Sequence, residues 1–232
     1  MSEVDLTTRI RGFLKSALTN LESRRYDRAL ADLMAAEGLD RDNPEVLYNL
    51  GVACCRSGDY RRSISYFRRV LDLPFTFVDV ITVNKLLAFA QIQLGETEPA
   101  ARDIANILKL SPDDVTLLNM LGYCHERAQR YREALAAYNR IIEIDRHNYN
   151  AYNSLAYIIA TLNGDLNRAL KFAKTALDAS PENPAYLDTI GFVYMKKGNP
   201  DLARKNFKKA LSKLPDSAEI REHLNQLLEL EG

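Results

Sequence analysis

Small side chains recur along this chain at a nearly constant interval, with larger apolar ones around each. Units that begin at Ile10, Pro44, Ile81, Val115, Tyr149 and Pro184 are spaced by 34, 37, 34, 34 and 35 residues. The eighth slot of each unit is Ala17, Gly51, Ala88, Gly122, Ala156 and Gly191. With one extra residue in the fifth unit, the twentieth slot is Ala29, Ser63, Ala100, Ala134, Ala169 and Ala203. All twelve are small, and the cause is steric: two helices approach closely only where a small residue sits at their crossing. Leu50, Leu87, Leu121, Leu155 and Ile190 fill the seventh slot in five units, and Val70, Ile107, Ile141, Ala176 and Ala210 the twenty-seventh. Apolar residues within a unit follow helical spacing, as in Leu47, Leu50 and Cys54, and no alternating strand pattern is visible. Pro112, Pro181 and Pro215 end second helices, because the ring blocks continuation.

The pattern predicts six helical hairpins over 10–217 followed by one more amphipathic helix over 218–232, thirteen helices in all. Ile220, Leu224, Leu227 and Leu228 share one face of that last helix, and Glu219, Glu222, Gln226 and Glu229 the other. It reads as a solvating cap, since the last repeat of a stack has no neighbour. Residues 1–9 precede the repeats and are expected to fray.

Leu50-Gly51 followed by Gly58-Asp59-Tyr60, and Leu121-Gly122 followed by Tyr131 and Ala134, resemble the tetratricopeptide repeat. The best-matching stretch runs from Asn153-Ser154-Leu155-Ala156-Tyr157 through Ala169 and Pro181 to Asp188-Thr189-Ile190-Gly191, and it resembles bacterial proteins of that family in particular. The resemblance implies an all-α fold, a right-handed α-solenoid with a curved trough lined by the first helix of each hairpin. Two departures stand out. Asn84 takes a fourth slot that is usually large and apolar, and Arg41 and Arg146 take thirty-second slots where proline is usual.

Composition narrows the function. With 31 basic and 31 acidic residues the formal net charge is +0. A neutral chain lacks the field that draws proteins to phosphate backbones, so no nucleic-acid partner is expected. No stretch is long and apolar enough for membrane insertion, and residues 1–13 carry no apolar export segment. The sparse cysteines Cys54, Cys55 and Cys124 suggest a reducing compartment. A cytoplasmic location is expected, or a periplasmic one if an export signal has been removed.

No constellation for catalysis emerges, and an enzyme is not expected. His125, His147 and His223 have no metal-ligand spacing, and there is no Cys-x-x-Cys. Cys124 and His125 are neighbours on a helix and point about 100° apart, which does not make a nucleophile–base pair. His125 and the equivalent Cys54 read as packing residues. Neither a cofactor nor a metal is expected.

The resemblance places the fifth and ninth slots of each unit in the trough, one helical turn apart. The fifth slots are Leu14, Tyr48, Lys85, Asn119, Asn153 and Asp188; the ninth are Leu18, Val52, Phe89, Tyr123, Tyr157 and Phe192. Four rings in succession, Phe89 to Phe192, would floor the trough. A side-chain amide both donates and accepts, so Asn119 and Asn153 can pair with an extended backbone. Rings for side chains and amides for backbone suit an extended peptide or protein segment, and the chain is read as an interaction scaffold or adaptor. The candidate groove is Tyr48, Lys85, Phe89, Asn119, Tyr123, Arg127, Asn153, Tyr157, Asp188 and Phe192. Three alternatives stand beside a peptide: rings packed on one another or covered by the chain's own end, a second copy filling the trough in a self-associating subunit, or a small-molecule carrier. The Lys-Asn-Arg clamp that some relatives use for a carboxylate tail does not match the order of Lys85, Asn119, Arg127 and Lys196.

Two further surfaces are candidates. Phe75 and Phe77 lie in an enlarged connection and would anchor a partner or tuck back onto the chain's own helices. The last hairpin is basic, with Lys196, Lys197, Arg204, Lys205, Lys208, Lys209 and Lys213 against Asp201. It reads as a solvated face offset by the acidic cap, or a site for an acidic protein.

Overall fold

Helix starts are set by short polar side chains that accept a hydrogen bond from the first turn. Asn43, Asp59, Asp79, Asp114, Asn148, Asp165, Asn183 and Asn199 each cap a helix in this way. Pro44, Pro184 and Pro200 stand in first turns, where a missing N–H costs nothing. The fifteenth slot of every hairpin turn is left-handed: Gly58, Gly95 and Gly198 have φ of 84°, 78° and 70°. Arg24, Gln129 and Asn163 take the same conformation at 56°, 56° and 49°, against the steric preference of their Cβ.

The computed structural model describes residues 3–74 and 79–231. Among these residues there are thirteen helices and no strand: α1 Glu3–Glu22, α2 Tyr26–Glu37, α3 Pro44–Arg56, α4 Tyr60–Asp72, α5 Val80–Gln93, α6 Thr97–Leu108, α7 Val115–Arg127, α8 Tyr131–Ile144, α9 Tyr149–Thr161, α10 Leu166–Ala179, α11 Pro184–Lys196, α12 Pro200–Lys213 and α13 Ala218–Glu231. The segment expected to fray is helical from Glu3, with Leu6 packed on the first core cluster. Phe75 and Phe77 lie outside the described residues.

The chain divides into two compact units, Met1–Ala128 and Gln129–Gly232. In the first, α1 to α7 pack in chain order, and the alternate helices α3, α5 and α7 also touch one another. In the second, α8 to α13 do the same, with α9, α11 and α13 as the touching alternates. Each unit therefore has two layers, and one layer consists of the first helices of the hairpins.

The small slots do what their size requires. Ala17, Ala88, Ala156 and all six twentieth-slot residues have no solvent exposure. A Cβ on Gly51 would lie 2.5 Å from Phe67 Cε1, and one on Gly191 2.8 Å from the Phe207 ring. Both phenylalanines are fully buried. Hairpins with alanine in the eighth slot carry Leu33, Ile104 or Ala173 where these two carry phenylalanine. Crossing residue and facing residue are thus matched in volume, as close packing demands.

The departures from the repeat pattern are absorbed locally. Asn84 is buried and its Nδ2 donates to the Val80 carbonyl at 2.8 Å, so the amide sits in its own helix at little cost. Arg41 is exposed, and its carbonyl accepts from Arg69 at 2.7 Å.

The cores of the units differ in continuity. The first unit has three apolar clusters, centred on α1–α3, α3–α5 and α5–α7. In the second unit one cluster runs from Ala156 in α9 to Leu227 in α13.

Candidate protein-binding faces

In the first unit the floor of first helices is partly open. Tyr48 is half-buried, with its ring 6.3 Å from Phe67. Phe89 remains 38% exposed, its edge against Tyr60 at 6.1 Å. Tyr123 is 43% exposed and Leu18 42%. These two rings stand on α5 and α7, which touch each other, so two large apolar side chains face solvent on one layer. Leu14, the fifth-slot residue of the first hairpin, is instead part of the core at 5%.

The polar groups of this face are already engaged in part. Lys85 Nζ lies 2.6 Å from Asp114 Oδ2, the carboxylate that also caps α7 by accepting from Leu117 N–H. Burial works against ionisation of Asp114, but the Lys85 hydrogen bond and the Leu117 N–H outweigh it and hold the carboxyl below its ordinary value. Lys85, expected as a groove cation, is therefore neutralised within its own face. Asn119 Nδ2 donates to the Val115 carbonyl at 3.0 Å, which leaves its other N–H and its carbonyl oxygen for a ligand. Arg127 is exposed at the end of α7.

In the second unit the corresponding floor is covered. Phe192 is 5% exposed and Asp188 6%, so the expectation of an open surface at these residues is corrected. The cover is α13. His223 is 5% exposed, and its Nδ1 lies 3.0 Å from both carboxylate oxygens of Asp188. The carboxylate accepts, so Nδ1 carries the proton of this pair. The imidazole also sits 4.8 Å from the Phe192 ring, 5.9 Å from Phe207 and 6.0 Å from Tyr157. Tyr157 is half-buried, with its ring 5.1 Å from Phe192. Asn153 keeps a carbonyl oxygen that is buried without a hydrogen-bond partner, which costs about 1–3 kcal/mol.

Helix α13 therefore does more than solvate the end of the chain. Ile220, His223 and Leu227 are its buried stripe, while Leu228, assigned to the inner face from the pattern, is 51% exposed. His223 has no place in the apolar pattern of α13 because it is polar. The signal was Asp188: an acid in the strongly apolar helix α11 needs a partner, and His223 is the one basic residue among the inward positions of α13.

Burial pushes the Cys54 thiol up to about 11 and also raises Cys55, so neither is an activated nucleophile. His125 is half-buried on α7. Among the described residues no three His, Cys, Asp or Glu side chains come together as a metal site, and no helix is long and apolar enough to cross a membrane. On the basic last hairpin, Lys209 and Lys213 meet Glu182 at 2.7 and 2.6 Å, and their hydrogen bonds hold its carboxyl down at about 2. Charge there is offset by the turn before α11.

Comparison with known proteins adds the family. Models described as tetratricopeptide repeat match residues 14–74, 86–149 and 160–227. BBSome complex member bbs-4 of Caenorhabditis elegans is 25% identical over 206 residues, which span 86% of this chain but only 44% of that protein. Among solved structures, pilF of Pseudomonas aeruginosa superposes with a TM-score of 0.71 at 13% identity, over 96% of this chain and 99% of its own. YrrB, described as a tetratricopeptide protein with an unusual peptide-binding site, superposes with a TM-score of 0.65 at 19% identity, over 75% and 88%. At such identities the two structures speak for the fold alone. The repeat matches span most of the chain, and together with the all-helical layers they establish that it belongs to the tetratricopeptide repeat family.

Proposed function

We propose that the first unit of this chain holds a segment of a partner protein against its layer of first helices. Tetratricopeptide repeat proteins are in general non-enzymatic scaffolds for protein–protein interaction; the face and the form of the ligand are the finer reading. The observation that carries it is the pair Phe89 and Tyr123, large rings left 38% and 43% exposed on adjoining helices of a chain that buries other rings fully. A soluble surface with such a patch gains by covering it. Asn119 beside Tyr123 supplies an N–H and a carbonyl oxygen for an extended backbone, and Tyr48 and Arg127 extend the same face. YrrB, a structural neighbour described by its peptide-binding site, lends support by analogy of fold.

The test is capture of partners with the wild-type chain, with a Phe89→Ala/Tyr123→Ala double variant, and with Leu110→Ala as an exposed control away from the face. Circular dichroism first establishes that all three have equal helix content. Partners retained by the control and lost by the double variant support the reading. Equal recovery by all three removes it.

A further inference from the structure

At the turns of its first two hairpins the first unit carries a basic cavity of about 610 Å3. Arg24, Arg25 and Arg28 line it from the turn before α2 and from the start of that helix, and Arg56 from the end of α3. Tyr26 and Asp27 stand among them. Guanidinium groups stay charged at any physiological pH. Four of them against one carboxylate leave an excess of three positive charges, in a chain whose formal net charge is +0. All four arginines are exposed, and among the described residues none of them takes part in an ion pair. Arg62 and Arg69 of α4, by contrast, meet Asp59 and Glu37.

Two of these cations are held in place. Arg25 Nε donates to Asn20 Oδ1 at 2.9 Å, and the buried Asn20 in turn donates to Asp32 at 3.0 Å. A side chain of the interior thus orients this guanidinium and leaves its terminal N–H groups as donors. Arg24 has a φ of 56°, in the slot that Gly58, Gly95 and Gly198 take in other hairpins. Glycine would relax the backbone there but would remove the cation. Like charges gathered without counter-charge repel one another until an anion enters.

We propose that this cavity binds an acidic segment of a partner protein, with about three carboxylates entering among Arg24, Arg25, Arg28 and Arg56. The guanidinium fork matches a carboxylate with two parallel hydrogen bonds. The half-buried Tyr26 gives the apolar stems of glutamate side chains a surface to lie on. A protein is favoured over a nucleic acid because the whole chain has no positive field to gather a long polyanion, and the excess is confined to one cavity. This goes beyond the reading of Phe89 and Tyr123, since no residue that lines the cavity belongs to that face.

The probe is a fluorescein-labelled peptide of alternating glutamate and serine, with glutamine in place of glutamate in the control peptide. Anisotropy at low salt follows its binding to the full chain. The glutamate peptide should bind the wild type at least about tenfold more tightly than the control peptide, and at least about tenfold more tightly than it binds Arg24→Gln/Arg28→Gln/Arg56→Gln. Lys174→Gln/Lys205→Gln/Lys208→Gln removes the same charge from exposed positions of the second unit and should change the affinity by less than about twofold. Equal weakening by the two triple variants would mean that only net charge matters, and overturns the proposal. Arg24→Gly brings in the residue that the slot holds elsewhere, so its unfolding midpoint should be no lower than that of the wild type, while the peptide binds at least about threefold more weakly. Unchanged affinity in that folded variant also overturns the proposal. So does an oligonucleotide of equal charge that binds the wild type more tightly than the peptide. Phe89→Ala/Tyr123→Ala should bind the peptide as the wild type does; loss there would put the peptide on the inner face instead of in the cavity. The two readings can therefore fail separately.

Discussion

The two units build the same layer of first helices and leave it in opposite states. In the first, Phe89 and Tyr123 face solvent; in the second, Phe192 and Asp188 are buried under α13. The local ingredients are equivalent, an aromatic ring in the ninth slot with a polar residue one turn before it. The difference comes from the last helix, α13, which carries one complementary donor, His223. A repeat therefore specifies that a face exists, and the side chain that the next helix supplies decides whether it is available.

The strongest way to break this comparison is to truncate the equivalent ring in each unit. Phe192→Ala should cost about 3 kcal/mol, as for other buried phenylalanines, and Phe89→Ala no more than about 1 kcal/mol. Denaturant unfolding of the two variants measures both, and equal losses would mean that the faces do not differ. His223→Ala comes next, at about 3 kcal/mol or slightly less, because it removes the ring and leaves the Asp188 carboxylate without its hydrogen bond. Its effect should be confined to the second unit: hydrogen exchange of α11 and α13 should accelerate roughly 100-fold while α1 to α7 are unchanged. A chain-wide effect would show that the units do not open independently.

The hairpin crossings should behave alike in both units, which sharpens the contrast between the faces. Gly51→Ala and Gly191→Ala should each cost about 2 kcal/mol, since the added methyl meets Phe67 or Phe207. Adding Phe67→Leu to Gly51→Ala should return most of that loss, because alanine faces leucine at the same crossing of the first hairpin. A double variant no more stable than the single one would refute the volume match.

The smallest effect concerns pH. The Asp114 carboxyl is depressed in the folded chain below its unfolded value of 3.8. Its contribution is therefore fully present above about pH 4 and is lost as pH falls through the folded value. Lys85→Met should move the folded value upward and flatten this acid limb, as read by carboxyl chemical shifts of Asp114. An unchanged titration would mean that Lys85 does not engage it in solution.

Much of the fold was legible in the order of residues. The twelve small slots and the terminating prolines are local features whose physics acts within a few turns, and each took its expected place. The helix start at Glu3 was less legible because residues 3–9 carry no repeat slot, and their packing depends on Leu6 finding the first cluster. Of the candidate site, the row of fifth and ninth slots was legible as a set, but exposure within the row was not. Leu14, Asp188 and Phe192 share slots with Lys85 and Phe89 yet are buried. Lys85 was legible as a groove residue, but its pairing with Asp114, a helix cap of the next repeat, was not.

Periodic spacing by itself determined that this protein is a stack of helical hairpins, because a small residue every helical crossing is a requirement that neighbouring residues satisfy locally. Only the tertiary structure decided which inner face is open. That choice depends on a contact between Asp188 and His223 of the next helix in the layer, and the period of small residues does not say which side chain stands there. A buried carboxylate must find a donor wherever the chain can supply one, and only the folded arrangement says which donor arrives.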